Sequence, residues 1–589
     1  TFIFFKTKIM EFILLVKVSL KSRMRKLNLS NYDLLFALLC VSVLVFTIPF
    51  HRGFTVGDCA DYLSAANELL HGNWDIIHNF YANRVGTFLP YAIGIQIFGF
   101  STLITWITTF QFLVLLAIIY FTIKPFSVSI ALMSCAMLGT APILLQNASV
   151  VMGDMASTLF ANGAVLLLFY FLFYAPKTAR SQKKWGIIIG LFIFYAFLVK
   201  ESVVFYLPIF CFYFWQHRKD KSLDLFWKYL VICLGFCFSF LMLAYTLKTG
   251  NPFFKLMAVE SGPTASDCNY AGADWWTILN RISWQPFVFI SQDYSFAYLF
   301  LFSVLHLCQY SRDTSKKELF FMQYLLVTLV LWWVGSQGIS SYNPVSLVHR
   351  VWLPLLVPMA INAASFVYMV INGSIKNKLY TVYLPSLLLW GCTILSIFYT
   401  INLFTSTGIG GIDNFISIVI CYTTLIAFIL TCTSFKQVVD FIPNLDMMLF
   451  VLIINIPLKG CINHLQYKYY SIRNGEISSY ESEKNSISFL LEQKPKRVLT
   501  DYWIAKGYQI YTGYGVKYPF KNYTEVDTIY DDTYLLLNKT MQLELRKNIN
   551  ETRIFTSAKN SIPDFVLAPQ DYGFSLIKEN ETNLLYYKK

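Results

Sequence analysis

The stretch DLLFALLCVSVLVFTIPF (residues 33–50) runs into HRGFTVGDCADYLSAANELLHGNW (residues 51–74). The first segment carries one charge, Asp33, at its edge. A helix needs roughly 20 mostly apolar residues to cross the hydrocarbon core of a bilayer, so residues 33–50 read as a membrane span. The second segment is polar, and it reads as a loop on the far side. The same alternation continues at 101–123, 126–145, 155–174, 186–199, 202–216, 225–247, 295–310, 319–337, 351–371, 379–401, 412–433 and 438–456. About thirteen spans are therefore expected.

Composition agrees. Of 589 residues, 56% are hydrophobic and 14% charged, with mean hydropathy +0.51. Soluble domains carry about 25% charge, so this apolar surplus needs lipid to cover it. Aromatics reach 18%, which suits Trp and Tyr belts at membrane interfaces. The net charge of +13 lies in short clusters between apolar runs, so nucleic acid is not an expected partner. The 12 cysteines form no CxxC pair and no metal spacing.

The clusters orient the chain. Lys21, Arg23, Arg25 and Lys26, then Lys124, then Lys177, Arg180, Lys183 and Lys184 open the series. Arg218, Lys219 and Lys221, then Arg312, Lys316 and Lys317, then Lys376 and Lys378, then Lys436 complete it. All fall in alternate loops, which the positive-inside rule places in the cytoplasm. Residues 1–32 then form a cytoplasmic segment without a cleavable signal peptide, in which Met24 reads as the more natural start. Residues 33–456 form the membrane domain. Outside lie the loops 51–100 and 248–294 and a C-terminal domain, 457–589. In that domain Arg497-Val-Leu-Thr, Tyr534-Leu-Leu-Leu, Arg553-Ile-Phe-Thr and Asp564-Phe-Val-Leu read as strands.

Chemistry concentrates in the first outer loop. Asp58 and Asp61 stand i, i+3 and share one helix face, while Ala65, Ala66, Leu69 and Leu70 continue an apolar stripe. An amphipathic helix at the membrane surface is expected, with the carboxylates at its start. A plainer role for either acid is to cap that helix. Arg84, Lys200 and Arg350 fall at outer span ends, where snorkelling to lipid headgroups is the ordinary alternative. His349, beside Arg350, could carry a proton or simply hydrogen-bond at the interface. Asp274-Trp275-Trp276 and Trp284 could stack on a sugar or anchor the chain at the interface.

Asp58-x-x-x-Tyr62, Ala65-Ala66, Leu70-x-Gly72, Arg84, Pro90 and Phe98-Gly99 together resemble the first outer loop of the GT-C integral membrane glycosyltransferases. Bacterial homologues of protein O-mannosyltransferases and the lipid A aminoarabinose transferases are nearest in pattern. Gly153-Asp154-Met-Ala-Ser-Thr resembles the family's second acidic loop, Leu198-Val-Lys200-Glu-Ser its Lys-containing turn, and Thr249-Gly-Asn-Pro252 the turn after span seven. His349-Arg350-Val-Trp-Leu-Pro354 resembles its Arg-Tyr-x-x-Pro segment, although Trp352 stands two after the Arg and no Tyr follows it.

The resemblance covers roughly residues 33–372 and implies a GT-C-like fold; with the spans and the tail read above, the expected architecture is an α-helical polytopic membrane protein with about thirteen transmembrane helices and a small C-terminal extracytoplasmic α/β domain. The resemblance implies transfer of a sugar from a polyprenyl-phosphate donor to an acceptor hydroxyl of a protein, lipid or glycan, with inversion. The reaction would run on the outer face of a membrane, the bacterial inner membrane in that family. Asp58 would be the base, with Asp61 and Asp154 orienting the acceptor. Arg84, Lys200 and Arg350 would bind the phosphate, and His349, Tyr62 and Glu201 are candidates to assist the reaction, His349 as a proton carrier. A divalent cation held by Asp58, Asp61 and Asp154 stays open on the hard-oxygen chemistry alone. The rival function is a transporter or flippase, which would place ionisable groups mid-span and show two related halves. A structural subunit that has lost activity is the third.

Overall fold

A computed structural model describes residues 30–51, 58–74, 76, 80–99, 101–261, 270, 273–283, 285–291, 293–338, 342–372, 480–501, 504–505, 508, 519–523, 526, 528–539, 563–580 and 583–589. The helices are α1 (Asn31–Phe50), α2 (Asp58–Leu70), α3 (Val85–Phe98), α4 (Trp106–Ile123), α5 (Val128–Gly139), α6 (Pro142–Asn147), α7 (Gly153–Phe173) and α8 (Ala179–Val199). They continue as α9 (Leu207–His217), α10 (Asp224–Thr249), α11 (Phe254–Ser261), α12 (Trp275–Ser283), α13 (Gln285–Ser291), α14 (Tyr294–Leu307), α15 (Lys316–Val334) and α16 (Leu353–Ile371). Among the described residues six helices are long and apolar enough to cross a membrane, or seven if Trp275–Ile290 and Ser295–Leu307, bent by 109°, count as one. The expected spans 379–401, 412–433 and 438–456 lie outside the described residues, as do residues 1–29.

The start of α1 shows how a membrane-edge charge is satisfied. Ser30 and Asp33 form a reciprocal capping box. Asp33 Oδ1 also accepts from Tyr120 Oη at 2.9 Å and pairs with Lys124 Nζ at 2.5 Å. At the same level, by loop order, Lys177 lies over Phe171, Lys317 over Tyr174 and Arg218 over Trp215. The basic residues thus rest on aromatic faces.

Two expected spans differ in form. Residues 126–145 split into α5 and α6, because Pro142 has no N–H for a continuing ladder and instead opens a new helix. Residues 202–216 begin as a 3-10 turn, Glu201–Tyr206, and continue as α9 with Pro208 in its first turn. At about 2 Å per residue in the turn and 1.5 Å in the helix, the pair still rises roughly 28 Å.

The first outer loop holds more than the expected surface helix. Cys59, Ala60, Asp61, Tyr62 and Leu63 in α2 are all buried. Five consecutive residues cover the whole circumference of a helix at 3.6 residues per turn, so its first turns are enclosed rather than amphipathic. Part of the cover is α3, an apolar helix of 14 residues that ends where Gly99 takes φ +67°. Gly86 lets α3 press on the end of α8, where a Cβ would stand 2.8 Å from Val199 N. Gly153 does the same at the start of α7, where a Cβ would stand 2.6 Å from Thr87 Oγ1. These two close approaches bring the first loop, the second acidic loop and the Lys200 turn to one point.

Beyond the membrane helices, β1 (Arg497–Thr500), β2 (Phe520–Asn522), β3 (Thr533–Asn538), β4 (Phe574–Glu579) and β5 (Asn583–Lys588) form one mixed sheet in the order β2-β1-β3-β5-β4. The β2-β1 and β1-β3 pairs are parallel, and β3-β5 and β4-β5 antiparallel. Burial alternates with the two-residue strand period. Val498, Leu536 and Leu585 join helix α17 (Tyr480–Glu492) on one face, and Leu499, Leu535 and Tyr586 join Phe565 and Phe574 on the other. Asp564-Phe-Val-Leu, expected as a strand, is a helical turn: Pro563 sits at its N-cap, and Ala568 N–H closes on Asp564 O at 3.0 Å. Arg553-Ile-Phe-Thr lies outside the described residues.

The first face of the sheet belongs to the same hydrophobic cluster as Cys59, Leu63 and Ala66 of α2. The C-terminal domain therefore lies on the side of the membrane that holds the first loop. Single cysteines at Gln570 and Asn73 are expected to label from one side and a cysteine at Lys183 from the other. Gln570 and Lys183 labelling together would contradict this placement.

Candidate active site

Each charged side chain of the site is placed by the end of an element. Asp58 and Asp154 lie in the first turns of α2 and α7. Arg84 immediately precedes α3. Lys200 is extended (φ −152°, ψ 137°) between α8 and the 3-10 turn that Glu201 opens. Arg350 stands in a second 3-10 turn, His349–Trp352, ahead of α16.

These ends meet as interlocking ion pairs. Arg350 Nη2 reaches Asp58 Oδ2 at 3.0 Å, and the Tyr81 hydroxyl donates to Asp58 Oδ1 at 2.6 Å. Asp58 therefore spends its carboxylate on the site rather than on capping α2. The Lys200 ammonium pairs with Asp154. Arg84 Nη2 meets Glu201 Oε2 at 3.4 Å, and its Nη1 donates to the Tyr62 hydroxyl at 3.2 Å. Lys255 Nζ meets Glu201 Oε1 at 3.1 Å. The pairs also neighbour one another: Tyr62 feels the charges of Arg84, Asp58 and Asp154, and Arg350 those of Asp154 and Asp58. Exposure grades across the site. The Arg350 and Asp58 side chains are 37% and 24% exposed, whereas Arg84 and Glu201 are 13% and 11%. The Asp58–Arg350 pair is thus the open end of the cluster and Glu201 its floor.

Electrostatics follows from burial and neighbours. Burial raises the Tyr62 hydroxyl to about 12, with Arg84 pulling the other way, so Tyr62 stays a neutral hydroxyl. Burial also pushes the Glu201 carboxyl up, but Lys255 and Arg84 outweigh it and hold the group at about 2. A carboxyl depressed from 4.5 stabilises the fold fully above that value and loses the contribution as pH falls towards 2. The melting-temperature gap between wild type and Glu201→Gln is therefore expected to stay constant between pH 6 and 8. A gap that closes over this range would contradict the assignment.

Asp61 is buried one helical turn from Asp58 and adds to the charge around Tyr81. His349 does not join the site. Its ring stacks on Phe289 at 4.2 Å, with Nε2 3.4 Å from Phe289 O. In a 3-10 turn consecutive side chains diverge by a third of a turn, so the neighbour of Arg350 points elsewhere. Nor do the three aspartates form a cation site. Among the described residues no group of three or more His, Cys, Asp or Glu is placed to hold a metal, and Asp58 and Asp154 each already meet a cationic side chain. Trp275 and Trp276 are 70% and 66% exposed at the start of α12.

Two members were not foreseen, Tyr81 and Lys255. Each had a local signal. Tyr81 stands three before Arg84, and Lys255 follows Thr249-Gly-Asn-Pro252 by three.

No family model matches this sequence, and no curated protein does. Similarity appears in solved structures. ArnT from Cupriavidus metallidurans bound to undecaprenyl phosphate superposes with TM-score 0.54 at 12% identity, covering 94% of this chain and 97% of that one. The apo state of that protein gives 0.49. The archaeal oligosaccharyltransferase AglB from Archaeoglobus fulgidus, in complex with an inhibitory peptide and a dolichol-phosphate, gives 0.42 at 11% identity, covering 81% of this chain and 63% of its own. This chain is an α-helical polytopic membrane protein. Its fold is GT-C-like, with a small C-terminal domain built on a mixed sheet.

Proposed function

We propose that this chain is a glycosyltransferase that moves a sugar from a polyprenyl-phosphate donor to an acceptor hydroxyl, with inversion, on the outer face of the membrane. The observation that carries it is the Asp58–Arg350 pair, half open beside the Lys200–Asp154 pair. A donor phosphate entering here takes the Arg350 guanidinium and the Lys200 ammonium as partners and releases Asp58 from its cation. The acceptor oxygen then attacks the anomeric carbon. The bond from that carbon to the phosphate oxygen breaks, and the acceptor proton passes to Asp58. Such general-base help contributes roughly 10²–10⁴-fold. Fixed cations stabilise the charge that grows on the leaving phosphate.

The outer side is supported by loop charge: the clusters at Lys177–Lys184 and Arg218–Lys221 lie at the opposite helix ends from Asp58, Lys200 and Arg350. Transport is the weaker alternative, since the charged groups gather at the ends of spans rather than across a central pathway. The test is release of polyprenyl phosphate from a panel of polyprenyl-phosphate sugars by the purified chain in lipid, with protein, lipid and glycan acceptors. No turnover with any pair, while radiolabelled donor crosses the bilayer, would replace transfer by transport.

A further inference from the structure

Lys255 and Glu201 form the innermost layer of the site. Lys255 is 2% exposed and meets three acceptors: Glu201 Oε1 at 3.1 Å, Asn83 O at 3.0 Å and Leu198 O at 3.4 Å. Two of these contacts are hydrogen bonds to backbone carbonyls and the third is an ion pair with the Glu201 carboxylate. The acceptors come from different segments. Asn83 immediately precedes Arg84, Leu198 lies two residues before Lys200, and Glu201 is the partner of Arg84. One side chain on α11 thus ties down the two segments that carry Arg84 and Lys200.

We propose that Lys255 is a positioning residue: it neutralises Glu201 and fixes the backbone on either side of the site, so that Lys200 and Arg84 stand where the donor phosphate needs them. This rests on the reading of the site as a phosphate-leaving transferase. The geometry separates Lys255 from the open cations. Arg350 is 37% exposed, while the Lys255 side chain is 3% exposed and already partnered by protein groups. Removing its charge leaves Glu201 with one cation for a carboxylate built to take two, and Arg84 is drawn further onto it.

The test compares Lys255→Met, Lys255→Arg, Glu201→Gln and Lys255→Met/Glu201→Gln in lipid. Each is assayed for turnover and for affinity towards undecaprenyl phosphate. Misplacement of the reacting groups by about 1 Å costs about 100-fold in rate, and Lys255→Met is expected to lose about that much in kcat. Its affinity for undecaprenyl phosphate should fall as well, because Lys200 and Arg84 are displaced, and Lys255→Met/Glu201→Gln should restore it. Lys255→Met/Glu201→Gln should recover at least tenfold over Lys255→Met, because it removes one charge of each sign. If Lys255 instead grips the phosphate, Lys255→Met weakens undecaprenyl phosphate binding tenfold or more and Glu201→Gln restores nothing. That result overturns the proposal, and so does wild-type turnover by Lys255→Met. Should Lys255→Met fail to fold, Lys255→Arg and the double variant carry the comparison. Failure of the wild-type chain to turn over any polyprenyl-phosphate sugar strikes the transferase reading instead.

Discussion

Asp58→Asn is expected to slow sugar transfer by about 100-fold or more, with insertion and melting temperature close to wild type. The amide keeps the size of the side chain and can still accept from Tyr81, whose hydroxyl lies 2.6 Å from Asp58 Oδ1. It cannot take the acceptor proton, and general-base help is worth roughly 10²–10⁴-fold. The fold should tolerate the change, because the pair it breaks is the most exposed in the site and the amide keeps the shape of the side chain. Affinity for the polyprenyl phosphate should hold or rise, since Arg350 loses a competing carboxylate. The measurement is turnover beside binding of undecaprenyl phosphate in one preparation. Near-normal turnover in Asp58→Asn with Asp154→Asn inactive would move the base to the start of α7.

Arg350→Ala is expected to act in the opposite sense on binding. A hydrogen bond to a charged group contributes about 1.5–3 kcal/mol, or about 10- to 100-fold in affinity at 1.4 kcal/mol per tenfold. Loss of Arg350 should weaken undecaprenyl phosphate binding by that factor. It should lower kcat further, because the charge on the leaving phosphate grows through the transition state. Arg350→Lys should recover only part, since a point charge does not reproduce the two-pronged guanidinium that now spans Asp58 and Met152. Isothermal titration with the free lipid phosphate decides it. Unchanged binding in Arg350→Ala would show that the phosphate enters elsewhere in the cluster.

Most of the charged part of this site is visible in the sequence because lipid forces it to be. An ionisable group next to twenty apolar residues sits at a span end or inside a polar cluster, so Asp58, Arg84, Asp154, Lys200, Glu201 and Arg350 stand out. Their pairing is not visible, since it depends on contacts such as Gly86 on Val199 and Gly153 on Thr87, each joining segments far apart in the chain. Lys255 escaped notice because its partner Glu201 is distant in sequence and a short loop helix has no periodicity to mark it. His349 reads in the sequence as a candidate proton carrier, but consecutive side chains diverge in a 3-10 turn, and its ring lies on Phe289 rather than beside the Arg350 guanidinium. The apolar stripe of α2 was legible. The burial of its opposite face was not, because α3 and the C-terminal sheet that share its cluster come from elsewhere in the chain.

The expected occupant of the open end of this cluster is a lipid phosphate. The most direct measurement is a structure of the full chain in lipid with undecaprenyl phosphate. The expected result is a phosphate within about 3 Å of the Arg350 guanidinium and the Lys200 ammonium, with the Asp58 carboxylate released towards the acceptor side. A phosphate bound near the Asp33–Lys124 end of the bundle, with the Asp58–Arg350 pair intact, would contradict it.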